Sequence, residues 1–218
     1  MTLYPPAGAC GVLQLEVCWD SDLKIKVGDD IVPVHRSVLM GGRSRFLSDL
    51  LGPDLASSEG PVSIQPPHPE LFLRALHCIT TRARPELTEA EFVGFVRTSA
   101  FLQSDELDER LCEASLSSWK ALTRLHDFRN PCVPAPFLER MLLMAREHNV
   151  MNVTDCLEVL AMWCKDDIDG GDTVLEKLIK ISDMEASELK RLQHINPRFV
   201  ELLSSTQVYQ IMGKACFL

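Results

Sequence analysis

The segment Lys165–Glu176, KDDIDGGDTVLE, comes nearest to a chemical motif. Asp167, Asp169, Gly170 and Glu176 fall at positions three, five, six and twelve of a calcium-binding loop. Calcium needs a cage of hard oxygens, but here the first position is Lys165 and the eighth is Asp172 instead of an aliphatic residue. Charge and packing both fail, so the segment is expected to be a plain helix-to-helix turn. A thiolate metal site has less support still: there is no Cys-x-x-Cys, and Cys156 and Cys164 stand eight apart on one expected helix, more than two turns. His77-Cys78 sets a base beside a nucleophile, yet helix neighbours point about 100° apart and no orienting acid is evident. A core cysteine is the expectation there. Glycine-rich phosphate loops, GxSxG elbows and zinc-hydrolase motifs do not occur either. The chain is therefore expected to be no enzyme, with no metal and no cofactor.

Composition narrows the partners. At 218 residues, 46% hydrophobic and 24% charged, the chain can bury a sizeable core in one larger or two small domains. A net charge of −9 argues against nucleic acid, because phosphate contacts need clustered Lys and Arg. Apolar runs fall short of the ~20 residues that span a bilayer, so no membrane is expected. The N-terminal MTLYPPAGAC lacks a basic start and an apolar signal core, and Ala-Cys-Phe-Leu at the other end puts Cys one place late for prenylation. The eight cysteines are accordingly expected to be reduced, several of them on apolar helix faces. The compartment this implies is the cytoplasm, the nucleus or both.

The elements follow from periodicity. Gly11 to Trp19 alternates Leu13, Leu15, Val17 and Trp19 against polar residues, which is a strand signal. Leu23, Ile25 and Val27 share a second strand face, Gly28-Asp29-Asp30 turns, and Ile31 to Val34 returns as a hairpin strand. Pro33 offers no ladder donor, which places that strand at an edge. Then the period changes: His35 to Met40 starts a helix, Gly41-Gly42 breaks it, and Ser44 caps a second one bearing Phe46, Leu47, Leu50 and Leu51. Gly52 to Pro61 is a polar loop and Val62-Ser63-Ile64 a brief strand. Pro67 to Pro69 open a helix with Leu71, Phe72, Ala75, Leu76 and Ile79 inward. Thr88 and Glu91 form a capping box for a helix whose core side is Phe92, Val93, Phe95, Val96, Ala100 and Leu102. Ser104-Asp105 begins the next, with Leu107, Leu111 and Cys112.

The second half is helical throughout. Pro131, Pro134 and Pro136 mark a boundary, and Pro136 suits the first turn of a helix carrying Phe137, Leu138, Met141, Leu142 and Ala145. Asn149 is its expected C-cap, and Thr154 starts the following helix through Leu157, Leu160, Ala161 and Trp163. Further helices are expected from Thr173, from the Ser182/Glu185 box, from Pro197, and from Thr206 to a Gly213 stop. The fold class is α+β, a small sheet covered by short helices followed by an all-helical extension.

Asp22-Leu23, His35-Arg36, Leu39 and Phe46 lie in one gapless register, and this stretch resembles the opening of a BTB/POZ domain. Val62, Ile64, Phe72, Leu76, Ile79 and Thr81 continue the likeness, as do Ala100, Leu102, Gln103, Leu107 and Cys112. The departures are Val32 for the usual Phe, Val34 for a small residue, Ser44 one place late, and Arg82 for a glycine. The helix pair from Pro136 to Trp163 resembles the start of a BACK-type extension, through apolar spacing, Ala145 and a polar turn. The division that follows is residues 1–19 as an N-terminal segment, 20–116 as the BTB/POZ-like domain, 117–135 as a linker and 136–218 as the BACK-like extension.

Partners enter through that resemblance. It implies a homodimer with Trp19, Asp22, Arg36 and Met40 at the interface, Asp22 and Arg36 forming a charged pocket. The strand ending at Trp19 is then either one more strand of the sheet or one exchanged between subunits. A salt bridge that only orients the hairpin is the plainer alternative for Asp22 and Arg36. The resemblance further implies a protein–protein interaction adaptor of a cullin-type ubiquitin ligase. Leu55, Glu59, Ser104 and Asp105 would meet the cullin scaffold while the helical extension or a dimer partner presents a client protein for ubiquitination. In such adaptors the loop before the third short strand carries an aliphatic-x-Glu element; here Leu55 supplies the aliphatic residue, Ser57 stands in the acidic place, and Glu59 lies two further on. The alternative is a dimeric scaffold or transcription-associated module with no ligase role.

Overall fold

Leu23, Ile25 and Val27 are buried while Lys24 and Lys26 face solvent, the period-two pattern of a strand with one covered side. The computed structural model describes residues 21–41, 44–52, 60–178, 184–203 and 207–208. The strand Gly11–Trp19, most of the loop after Gly52, the Ser182 cap and the helix expected at Thr206–Gly213 lie largely or wholly outside them. So do Cys10, Cys18 and Cys216.

Strand β1 (Leu23–Val27) pairs antiparallel with β2 (Asp30–Val34), Leu23 opposite Val34 and Val27 opposite Asp30. That register leaves Gly28-Asp29 as the turn, and Gly28 takes φ +61°, the positive value a tight hairpin turn needs at its first central residue. On its other side β1 pairs parallel with β3 (Val62–Ile64), giving the order β2-β1-β3. Pro33 therefore sits on an edge strand, where its missing N–H breaks no internal ladder.

Between β2 and β3 run two short helices, α1 (Arg36–Gly41) and α2 (Arg45–Leu50). Ser44 joins them to the rest of the molecule. Its hydroxyl accepts from the Leu47 amide at 3.2 Å, capping α2, and donates to the Leu102 carbonyl at 2.5 Å. Three longer helices follow: α3 (Pro69–Thr81), α4 (Glu89–Leu102) and α5 (Asp105–Ser115). The expected Thr88/Glu91 capping box is present at α4, and Ser104 accepts from the Leu107 amide at α5. Phe101 of α4 sits between Phe46 of α2, tilted at a centroid distance of 4.6 Å, and Phe72 of α3, edge-to-face at 6.1 Å, which packs these three helices together.

One expectation for α4 reverses. Ala100 is exposed, and Thr98 and Ser99 take buried places instead. They can do so because each hydroxyl finds an acceptor: Thr98 donates to the Gly94 carbonyl at 2.9 Å and Ser99 to the Asp108 carboxylate at 2.5 Å.

Residues 117–135, expected as a linker, hold a short helix α6 (Trp119–Leu122) and bury Leu122, Phe128 and Val133. Beyond it come α7 (Ala135–Glu147), α8 (Val153–Trp163), α9 (Gly171–Leu178), α10 (Ala186–Ile195) and a 3-10 helix (Pro197–Leu202). All five apolar residues expected on the inner face of α7 are buried, and Asn149 holds φ +55° just past its end. The start of α8 differs by a residue from expectation: Asn152 is the N-cap, in a reciprocal box with Asp155. Glu185 with Glu188 caps α10 in the same manner.

Among the described residues one continuous apolar core runs from the sheet to the last helix. Between its two ends α5 packs along α7, and Phe92 of α4 meets Phe137 of α7 with ring centroids 6.0 Å apart. No helix among the described residues is long and apolar enough to cross a membrane.

Candidate functional site

Arg45 at the start of α2, Asp105 at the start of α5 and Arg140 on α7 meet on one surface. Arg140 donates to the Asp105 backbone carbonyl at 2.9 Å and to its carboxylate at 3.0 Å, while Arg45 reaches the same carboxylate at 4.0 Å. The Arg45 amide also bonds to the Gln103 carbonyl at 3.3 Å, so α2 is tied to the turn between α4 and α5. The Asp105 and Arg45 side chains are 73% and 78% exposed. In water such pairs contribute about 0–1 kcal/mol each, so they orient a surface more than they hold a fold.

Beside this cluster opens a groove of about 280 Å³, walled by Val96, Ala100, Pro134, Pro136 and Phe137. Asp108 stands in its lining. One of its oxygens accepts from Ser99, and the other lies 4.0 Å from Arg140, beyond hydrogen-bond reach. Burial is the dominant influence on this carboxyl and pushes its pKa above the usual aspartate value, against the pull of Ser99 and Arg140.

A stability consequence follows with a definite sign. A carboxyl raised in the folded chain takes up its proton at higher pH than in the unfolded chain. Its favourable contribution is present below the ordinary carboxylate pKa and is lost as pH rises through the folded value. Asp108→Asn removes that titration while leaving Ser99 an acceptor. The variant's melting temperature relative to wild type is expected to be most favourable at pH 7 and to lose ground towards pH 3. A relative gain on acidification would contradict the assignment.

The residues expected to meet a partner fare differently. Asp105 is on the surface at the cluster just described. Ser104 is 1% exposed and serves as the N-cap of α5, so it offers a partner no surface of its own. Leu55 and Glu59 lie outside the described residues, but Leu51 and Gly52, which precede them in the chain, follow directly on α2.

At the hairpin, the charged pocket expected of Asp22 and Arg36 takes another form. Asp22 accepts at 2.8 Å from the backbone amide of Arg36, which caps the start of α1. That bond is the main reason its carboxyl lies below the usual aspartate range, with His35 at 3.9 Å adding to it. The Arg36 guanidinium turns instead to the Leu51 carbonyl at 2.8 Å, at the C-terminal end of α2, where a cation suits the helix dipole. Arg36 thus braces the C-terminal end of α2. Met40, with Val38 on the same helix and Ile31 on β2, is a large apolar side chain left exposed, at 42%, 43% and 54%. Trp19 lies outside the described residues.

The remaining chemical candidates resolve into structure. Asp166 pairs with Arg129 at 2.5 Å, and the Asp167 and Asp169 carbonyls accept from the Asn130 side chain at 3.4 and 2.8 Å. This segment is a turn that fastens residues 129–130 to the end of α8. Burial pushes the thiols of Cys112 and Cys164 up to about 12 and that of Cys156 to about 11, and it raises Cys78 too. None of these four presents a thiolate at neutral pH. They are free and buried, and among the described residues no group of acidic, His and Cys side chains is arranged to hold a metal.

Three signals were missed from sequence: Arg45, Asp108 and Arg140. Each belongs to a different helix, and no local motif announces their meeting. Arg140 and Asp105 are 35 residues apart. No family model matches the chain, and neither a curated protein nor a solved structure does so.

Proposed function

We propose that this protein is an interaction adaptor whose scaffold-binding face combines the Leu55 loop with the exposed start of α5, in the manner of a cullin-type ubiquitin ligase adaptor. The observation that carries the reading is the bonding of the Ser44 hydroxyl to the Leu102 carbonyl and of the Arg45 amide to the Gln103 carbonyl. It fixes α2, a helix of six residues and so about 9 Å long, against the α4–α5 turn. The chain leading to Leu55 leaves the far end of that same helix at Leu51 and Gly52. The two ends of α2 therefore lead towards the two segments singled out by their resemblance to BTB/POZ adaptors, which supports one partner domain covering both. A chain of this kind works in the cytoplasm or nucleus, and its client is a protein held elsewhere on the surface.

The wild-type chain is expected to capture the N-terminal domain of a cullin in a pull-down with purified components. Failure to capture any cullin N-terminal domain would leave the second reading, a dimeric scaffold without ligase role. Under that reading the side chains to test are the exposed Ile31, Val38 and Met40. Both readings expect a homodimer. Light scattering at micromolar concentration should give about twice 24.5 kDa, and a clean monomer would remove self-association from either.

A further inference from the structure

We draw no further inference here: the strongest candidate, the groove of about 540 Å³ between the first turn of α3 and α4, where the buried His68 Nε2 has no hydrogen-bond partner, sets Arg97 against Glu70 and Asp127, so that its charge selects no occupant and nothing in the structure shows what covers it.

Discussion

Trp163→Ala is expected to destabilise the fold by about 3–5 kcal/mol, the range for removing a fully buried aromatic side chain. Trp163 is 0% exposed at the end of α8, and its indole N–H donates to the Val133 carbonyl at 2.8 Å. Its own carbonyl accepts from the Asn130 amide at 3.0 Å. The side chain is thus both a large piece of core and, through the Val133 carbonyl, a fastening for the segment that leads into α7; the Asn130 bond is to the backbone and survives substitution. Truncation opens a cavity and leaves the Val133 carbonyl, on a residue that is itself 0% exposed, without its donor. Against a typical total of about 5–15 kcal/mol, such a loss takes a large share of the stability. Trp163→Phe separates the two contributions: most of the apolar volume stays and the hydrogen bond goes, at about 1–3 kcal/mol. Denaturant titration followed by circular dichroism should rank wild type above Phe and Phe above Ala. Two variants that both unfold within 1 kcal/mol of wild type would mean that neither the indole packing nor its bond to Val133 holds this part of the fold.

That expectation also marks where sequence reading stopped. The alternation of Leu23, Ile25 and Val27 located β1, and caps at Ser44, Thr88 and Ser104 located three helix starts, because each signal sits within a few residues of the structure it dictates. The inner face of α7 was legible for the same reason. What escaped was everything settled by residues far apart in the chain. A stretch with Pro131 and Pro134 reads as a linker until Asn130 finds the Asp167 and Asp169 carbonyls 37 and 39 residues away. Serine at position 99 reads as a surface residue until Asp108 supplies its acceptor. Arg36 invites pairing with Asp22 because opposite charges attract, but the guanidinium offers several donors and the end of α2 presents a free carbonyl within its reach. Periodicity reports which face is apolar. It does not report which polar groups the fold can satisfy inside.

The same distinction shapes how the candidate surface divides between holding and recognising. Arg140 touches Asp105 on one side and lies near Asp108 on the other, and so links α7 to the start of α5 across the junction of the two halves. The energy of those exposed contacts is small. Their use is to orient side chains at the start of α5, while the packing beneath, Phe92 against Phe137, holds the helices. Rigid support below an exposed, charged and partly apolar surface is what a protein-binding face requires, since ordering loose side chains on association costs about 0.5–1.5 kcal/mol for each one immobilised.

Leu55→Asp should weaken capture of the cullin N-terminal domain by roughly 10- to 150-fold if that scaffold is the partner. A leucine seated in a partner's apolar pocket contributes about 1.5–3 kcal/mol, and each 1.4 kcal/mol is a factor of ten in affinity. A carboxylate in its place adds the cost of burying an unpaired charge, which pushes the loss towards the upper end. The acidic position of the element, here Ser57, works on a smaller scale. A rim carboxylate contributes at most about 1 kcal/mol, so Ser57→Glu should tighten binding by about fivefold or less. The two substitutions therefore predict opposite signs and unequal sizes from the same loop. Titration by calorimetry or surface binding reads both, and superimposable thermal melts for the three proteins show that the fold is intact. Should wild type bind and Leu55→Asp bind equally well, the leucine is no anchor and the scaffold must be gripped elsewhere, beginning with the Arg45–Asp105–Arg140 cluster. Should wild type not bind at all, the adaptor reading gives way to the dimeric scaffold, for which the exposed Ile31, Val38 and Met40 remain the surface to mutate.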